Sequence, residues 1–410
     1  MRTILLLVAL FVVSLNARTF RMKTRSTGSL RAKLIASGQY QQYLKQRNMQ
    51  RTQILRKGSQ HFRDYLDELY VADVQVGTPG QNFTLVLDTG SSNLWVIDEK
   101  CNTDACDGDP QSGFKKHKFD TNASSTFQKE ERTFSITYGT GYCSGYLARD
   151  TVSFAGLKIQ NQEFGVATVV ADFFAYQPLD GILGLGWPDL AVDEVRRPLE
   201  SLRKSLRVTP PMQEVLPQLD KPIFTVWLER KVKVSKGESG GLITYGDFDK
   251  DNCDSEVTYV TLSSLTYWQF PMDGFKIGNY SRKRKEQAIS DTGTSWIGVP
   301  ISVLSAVVRQ VKAELDVMNG LYKVPCSKMN SLPDLTFTIN GKEYTVPSVE
   351  YVTDVELGGG QCAITFFYLE GNGFGPSWIL GDTWIRTFCN VHDIGNKRIG
   401  FAKAHHSGIN

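Results

Sequence analysis

Leu85-Val86-Leu87-Asp88-Thr89-Gly90-Ser91-Ser92 and Ala288-Ile289-Ser290-Asp291-Thr292-Gly293-Thr294-Ser295 are two versions of one pattern. Each enters an Asp-Thr-Gly triad from an apolar run and leaves it through hydroxyl residues. One such match is weak, but two in a single chain imply a duplicated unit that brings two carboxylates to one point. The duplication reaches further, because Ile182-Leu183-Gly184 and Ile379-Leu380-Gly381 repeat downstream, with the glycines 96 and 90 residues beyond Asp88 and Asp291. A period that long does not suit a solenoid and reads as two halves of one bilobal molecule.

Between the motifs, short runs rich in Val, Ile, Thr, Phe and Tyr alternate with Gly, Asn, Asp and Pro. The stretches 82–87, 133–138, 221–228 and 335–339 are examples, and they predict strands joined by turns in an all-β fold. A body of roughly 350 residues exceeds one comfortable core, so two β lobes are expected, divided at about residues 243 and 244. One helical exception is expected over Val192–Leu206, where Leu199, Leu202 and Leu206 recur at helical spacing within an insertion reaching Pro211.

The first residues, Met1-Arg2-Thr3 followed by an apolar run from Ile4 to Leu15, fit a secretory signal over residues 1–17 and fall short of a membrane span. No later stretch is apolar enough to span, and sequons at Asn82, Asn122 and Asn279 are usable in that pathway. From Arg18 to Lys57 there are eleven basic residues and no acidic one. Without those eleven and Arg2, 34 basic groups face 43 acidic ones, so a cationic leader precedes an anionic body. Leu30, Leu34, Ile35, Tyr40, Tyr43 and Leu44 give that leader apolar content which a solvated tail or a nucleic-acid-binding arm does not need. An inhibitory propeptide over residues 18–57, loosened in acid as carboxylates protonate, is the expectation.

Other chemistries find little support. The five histidines form no zinc motif. Asp247-Phe248-Asp249-Lys250-Asp251 resembles a calcium loop until Asn252 and Thr258 stand where Gly and Glu are needed. The Gly139–Gly145 cluster misses dinucleotide spacing by one residue, and the basic run Arg282–Lys285 reads as an exposed hairpin tip. Neither a metal nor any other cofactor is expected.

The paired triads, the two Ile-Leu-Gly segments and Ile136-Thr137-Tyr138-Gly139-Thr140-Gly141 resemble the pepsin and cathepsin D family of aspartic endopeptidases. The resemblance runs from about Phe62 to about Lys403. Cys389-Asn390-Val391, followed by Asp393-Ile394-Gly395-Asn396-Lys397-Arg398, is most similar to its nematode branch. The resemblance implies two related β lobes with the active site in the cleft between them, and catalysis by Asp88 and Asp291. Thr89, Gly90, Ser91, Thr292, Gly293 and Thr294 would support the dyad. Tyr138, Gly139 and Thr140 would form a flap, with Trp95 bonding to its tyrosine and Val86, Phe173, Leu179 and Ile182 lining an apolar pocket. Cys101–Cys106 and Cys326–Cys362 match the family's first and last disulfides. Its middle disulfide is replaced by the basic hairpin, which leaves Cys253–Cys389 as an extra pair and Cys143 as a free, partly buried thiol. Two carboxyl groups held together do not both ionise readily, so one can act as base towards water while its partner polarises the scissile carbonyl. Protein and peptide substrates, pepstatin-type inhibitors and the chain's own propeptide are the implied partners of a monomer, either secreted to a digestive lumen or delivered to lysosomes. The rival is a catalytically inert, peptide-binding relative.

Overall fold

The computed structural model describes residues 19–41, 69–110, 114–138, 141–192, 208–230, 239–369 and 375–406. The signal segment, the leader from Gln42 to Lys57, the tip residues Gly139 and Thr140 and the helix expected beyond Val192 lie outside these residues. The fold is the expected bilobal all-β one, and its most telling element is the leader. Phe20–Ser26 alternates outward Arg21, Lys23 and Arg25 with inward Met22, Thr24 and Ser26, which is the period of a half-buried strand. It pairs antiparallel with Ser239–Tyr245, from Phe20↔Tyr245 to Arg25↔Ser239, and then with Tyr70–Val76 through Arg25↔Val71 and Ser26↔Tyr70. A thirteen-stranded sheet is thereby continuous through both halves. The expected division at residues 243 and 244 falls inside one of its strands, and one apolar cluster extends from Met22 to Phe401.

Each half repeats one arrangement around its triad. In the first, Gln81–Asp88 runs parallel to Gly181–Gly184, which pairs antiparallel with Leu94–Ile97. In the second, Glu286–Ser290 runs parallel to Trp378–Leu380, which pairs antiparallel with Ile297–Val299. The chain leaving each triad therefore crosses the end of its Ile-Leu-Gly strand. A Cβ on Gly184 would stand 2.5 Å from the Ser92 carbonyl carbon, and one on Gly381 would stand 2.1 Å from the Thr294 carbonyl oxygen. Glycine recurs there because the triad loop needs that space.

Three disulfides, Cys101–Cys106, Cys253–Cys389 and Cys326–Cys362, match the expected pairing. Cys143 is free and buried, and burial pushes its thiol well above its ordinary value. The basic run is exposed at Lys283, Arg284 and Lys285, but it is not the hairpin tip expected: Tyr280–Arg282 pairs with Gly274–Ile277 and Glu286–Ser290 with Trp268–Met272, so the run links two different sheets. Among the described residues no helix is long and apolar enough to cross a membrane, and no cluster of His, Cys, Asp and Glu could hold a metal ion.

Candidate active site

Alternation along the first triad strand separates two jobs. Leu85 and Leu87 join the main core, whereas Val86 points into a second cluster with Trp95, Tyr138, Phe173, Leu179 and Ile182. The strand ends at Asp88, whose carboxylate accepts the Gly90 N–H at 2.9 Å on one oxygen and the Ser91 hydroxyl on the other. Asp291 repeats this with the Gly293 N–H at 3.0 Å and the Thr294 hydroxyl at 2.8 Å. Such bonds fix each carboxylate's orientation before any substrate arrives.

The two loops grip one another. Thr89 N–H donates to the Thr292 hydroxyl at 2.9 Å, and Thr292 N–H donates to the Thr89 hydroxyl at 3.0 Å. Each hydroxyl then donates onward across the divide, Thr89 to the Ser290 carbonyl at 3.1 Å and Thr292 to the Leu87 carbonyl at 2.5 Å. No solvent reaches Asp88 or Asp291, so these bonds form where polar groups left unpaired would be costly. The loops approach so closely that a Cβ on Gly90 would lie 2.4 Å from Asp291 Oδ1. Gly90, which donates to Asp88, thus lies against Asp291, so two buried carboxylates from different halves are close neighbours. In water-excluded surroundings that arrangement suits general acid–base chemistry on a bound water.

Beside them, Trp95 Nε1–H donates to the Tyr138 hydroxyl at 2.8 Å. Phe174 packs edge-on to both rings, 5.4 Å from Trp95 and 6.2 Å from Tyr138, and touches Phe173 at 5.3 Å. Val86, Phe173, Leu179 and Ile182 are brought together as expected; Phe174 was not anticipated, because the single turn Asp172–Tyr176 gives no periodicity to choose between adjacent phenylalanines.

Lys116 was also not anticipated. It is 6% exposed, and its ammonium donates to the Leu179 carbonyl at 2.6 Å and to the Gln177 carbonyl. Burial pushes its amine down to about 7, with Asp180 pulling the other way. Asp180 accepts the N–H groups of His117 at 2.8 Å and Thr84 at 2.7 Å, so the segment carrying Leu179 is held from both sides.

The leader covers this region. Ser29 caps the helix Leu30–Ala36 by accepting the Ala32 N–H, and Gly38, at φ +71°, follows its end. Leu30, Leu34 and Tyr40 join the cluster of Tyr138 and Phe173, while Ala32 joins a cluster with Trp296, Leu321, Val355 and Ala363 of the other half. Seven residues of helix thus bridge the two halves.

A family model described as eukaryotic aspartyl protease matches residues 69–404. The chain is 54% identical to aspartic protease 1 of Caenorhabditis elegans over all of both chains, and 51% identical to aspartic protease 17 of that organism over 96% of each. It is 34% identical to cathepsin E of Rattus norvegicus over 98% of each.

Proposed function

From the premise that the chain belongs to the eukaryotic aspartyl protease family and is an aspartic endopeptidase, we propose that it is made as a zymogen, is released by acid, and cleaves peptide bonds beside bulky apolar residues. The observation that carries the reading is the mutual grip of the two Asp-Thr-Gly loops, which sets Gly90, a donor to Asp88, against the Asp291 carboxylate.

Asp88 and Asp291 act as a unit. The ionised member takes a proton from a water lying between them, and the water oxygen attacks the scissile carbonyl. The protonated member donates towards that carbonyl oxygen, and a proton then passes to the departing amine. Gly90, Gly293, Ser91 and Thr294 hold the carboxylates during this exchange, and Thr89 and Thr292 hold the halves together. Tyr138 directly follows the strand Gln128–Thr137, which pairs with Tyr142–Phe154, and closure of that hairpin excludes water from an extended peptide. The apolar wall of Val86, Phe173, Leu179 and Ile182 favours Phe or Leu beside the scissile bond. Burying such a side chain contributes roughly 1.5–3 kcal/mol, which gives preference without strict selectivity. A peptide library cleaved with no enrichment for apolar residues at that position would remove this part of the reading.

The leader's placement supports an inhibitory role. It lends a strand to the sheet that joins the halves and lays its helix over the flap tyrosine's cluster, so a substrate cannot use the same surface. Two bonds from Arg25 hold the Asp73 carboxyl below its ordinary range. A carboxyl shifted that way stabilises the docked leader above its ordinary titration range and loses the contribution as pH falls through the lowered value. Both partners are substantially exposed, so the pair is worth at most about 1 kcal/mol, and release must sum over several acidic groups.

Three disulfides suit an oxidising compartment, and Asn82, Asn122 and Asn279 are all exposed, which supports passage through the secretory pathway and glycosylation. Shifting the purified full chain from neutral pH to about pH 3–4 with a denatured protein substrate tests the whole reading. Cleavage should appear only in acid and vanish with pepstatin. Cleavage indifferent to pH or to pepstatin would overturn it, and no cleavage at all would return the inert reading.

A further inference from the structure

Arg31 is the one charged side chain of the leader helix that is fully buried, at 4% exposure, and it lies over an aromatic ring. Its guanidinium carbon stands 3.9 Å from the centre of the Trp296 ring, and its Nη1 donates to the Tyr40 hydroxyl at 2.9 Å. Tyr40 belongs to the leader and would leave with it. Trp296 stays, because it belongs to the body five residues beyond Asp291 and directly precedes the strand Ile297–Val299. Its backbone is fixed, since its carbonyl oxygen would be 2.5 Å from a Cβ on Gly381. Its cluster draws Leu321, Val355 and Ala363 from the body and Ala32 and Ile35 from the leader.

The leader helix must depart before a peptide can enter, and its departure uncovers the face that Arg31 now occupies. That face is an indole backed by apolar side chains, which attracts a planar cation through its π electrons and offers little to a neutral polar group. The segment carrying Val355 also presents the exposed Asp354 and Glu356, so charge near the opening favours a cation wherever they are ionised. We propose that the Trp296 face is a substrate subsite selective for a guanidinium side chain, and that Arg31 of the leader fills it until activation. Substrates would then combine an apolar residue at the scissile bond with an arginine at one position removed from it. This rests on the endopeptidase reading above and specifies its substrates further.

The test compares peptides carrying arginine or citrulline, its uncharged isostere, at each position outside the scissile pair. They are cleaved by the acid-activated full-length protein at high salt, which screens Asp354 and Glu356. At one position arginine should raise kcat/KM by about 5- to 30-fold over citrulline, the range that a partly desolvated cation–π contact supplies. Trp296→Leu should bring that ratio to about 1, and Trp296→Phe should leave an intermediate ratio. Equal cleavage of every arginine and citrulline pair by the unmodified protein would overturn the subsite, whatever the fate of the variants. A ratio surviving Trp296→Leu in an active enzyme would also overturn it. Either result leaves the protease reading intact, whereas failure to cleave any peptide in acid would instead refute that reading.

Discussion

Charging His392 should make this protein intrinsically less stable in acid, and removing the imidazole should relieve the loss. His392 lies in the strand Phe388–Asp393, held inside the joining sheet between Arg398–Lys403 and Ile223–Leu228, with no exposed surface. Its ring stacks on Phe224 at 4.3 Å and 5°, meets Trp268 edge-on at 4.6 Å, and neither ring nitrogen has a hydrogen-bond partner. Burial pushes its pKa from 6.5 down to about 3, with the backbone of Asn390 and Phe224 pulling the other way. The unfolded chain takes up this proton near pH 6.5 and the folded one only near pH 3. The favourable contribution of the neutral ring is therefore complete above pH 6.5 and declines as pH falls towards 3. At about 1.4 kcal/mol per pH unit, the loss is roughly 3 kcal/mol by pH 4 and approaches about 5 kcal/mol below pH 3. Phenylalanine keeps the stacking and cannot titrate. Urea unfolding between pH 7 and pH 4, in an Asp291→Asn background to prevent self-digestion, gives the comparison. The stability of His392→Phe relative to its parent should rise by about 3 kcal/mol over that interval. Parallel pH dependences would refute the reasoning.

Lys116→Met leaves the carbonyls of Gln177 and Leu179 without their buried donor. Because the chemistry is untouched while the Leu179 wall loosens, kcat/KM for an apolar peptide should fall roughly tenfold, mostly through KM; a fall confined to kcat would contradict this. The Cys253–Cys389 bridge closes a loop of 136 residues, so replacing both cysteines with serine should lower stability by roughly 2–5 kcal/mol, read as a shift in urea midpoint. An unchanged midpoint would show that the bridge adds nothing to stability.

What could be read from the sequence was whatever the chemistry fixes locally. The triads and their hydroxyl residues must be contiguous to cradle a carboxylate, and Gly184 and Gly381 must be glycine where the triad loop passes, so those motifs survive as strings. Leader strand Phe20–Ser26 was harder, because its inward positions are only Met22, Thr24 and Ser26 and its partners lie more than forty and more than two hundred residues away. Lys116, Trp296 and His392 were not legible for the same reason. A lysine within Lys115-Lys116-His117-Lys118 looks solvated, and only the fold shows its ammonium buried against two carbonyls. Nothing around His392 in the chain announces that Phe224 will lie against its ring. The continuous core has a similar origin: size alone suggests two cores, whereas strands from both halves enter one sheet and carry the buried surface across.

The central claim is that Asp88 and Asp291 work as one group, and the single and double asparagine variants test it most directly. Acid-phase cleavage of one peptide should drop to the same floor in Asp88→Asn, in Asp291→Asn and in the double variant, each still folded by its urea midpoint, because a unit once broken cannot be broken again. Substantial turnover by either single variant, or a double variant that falls by the product of the two single losses, would contradict it.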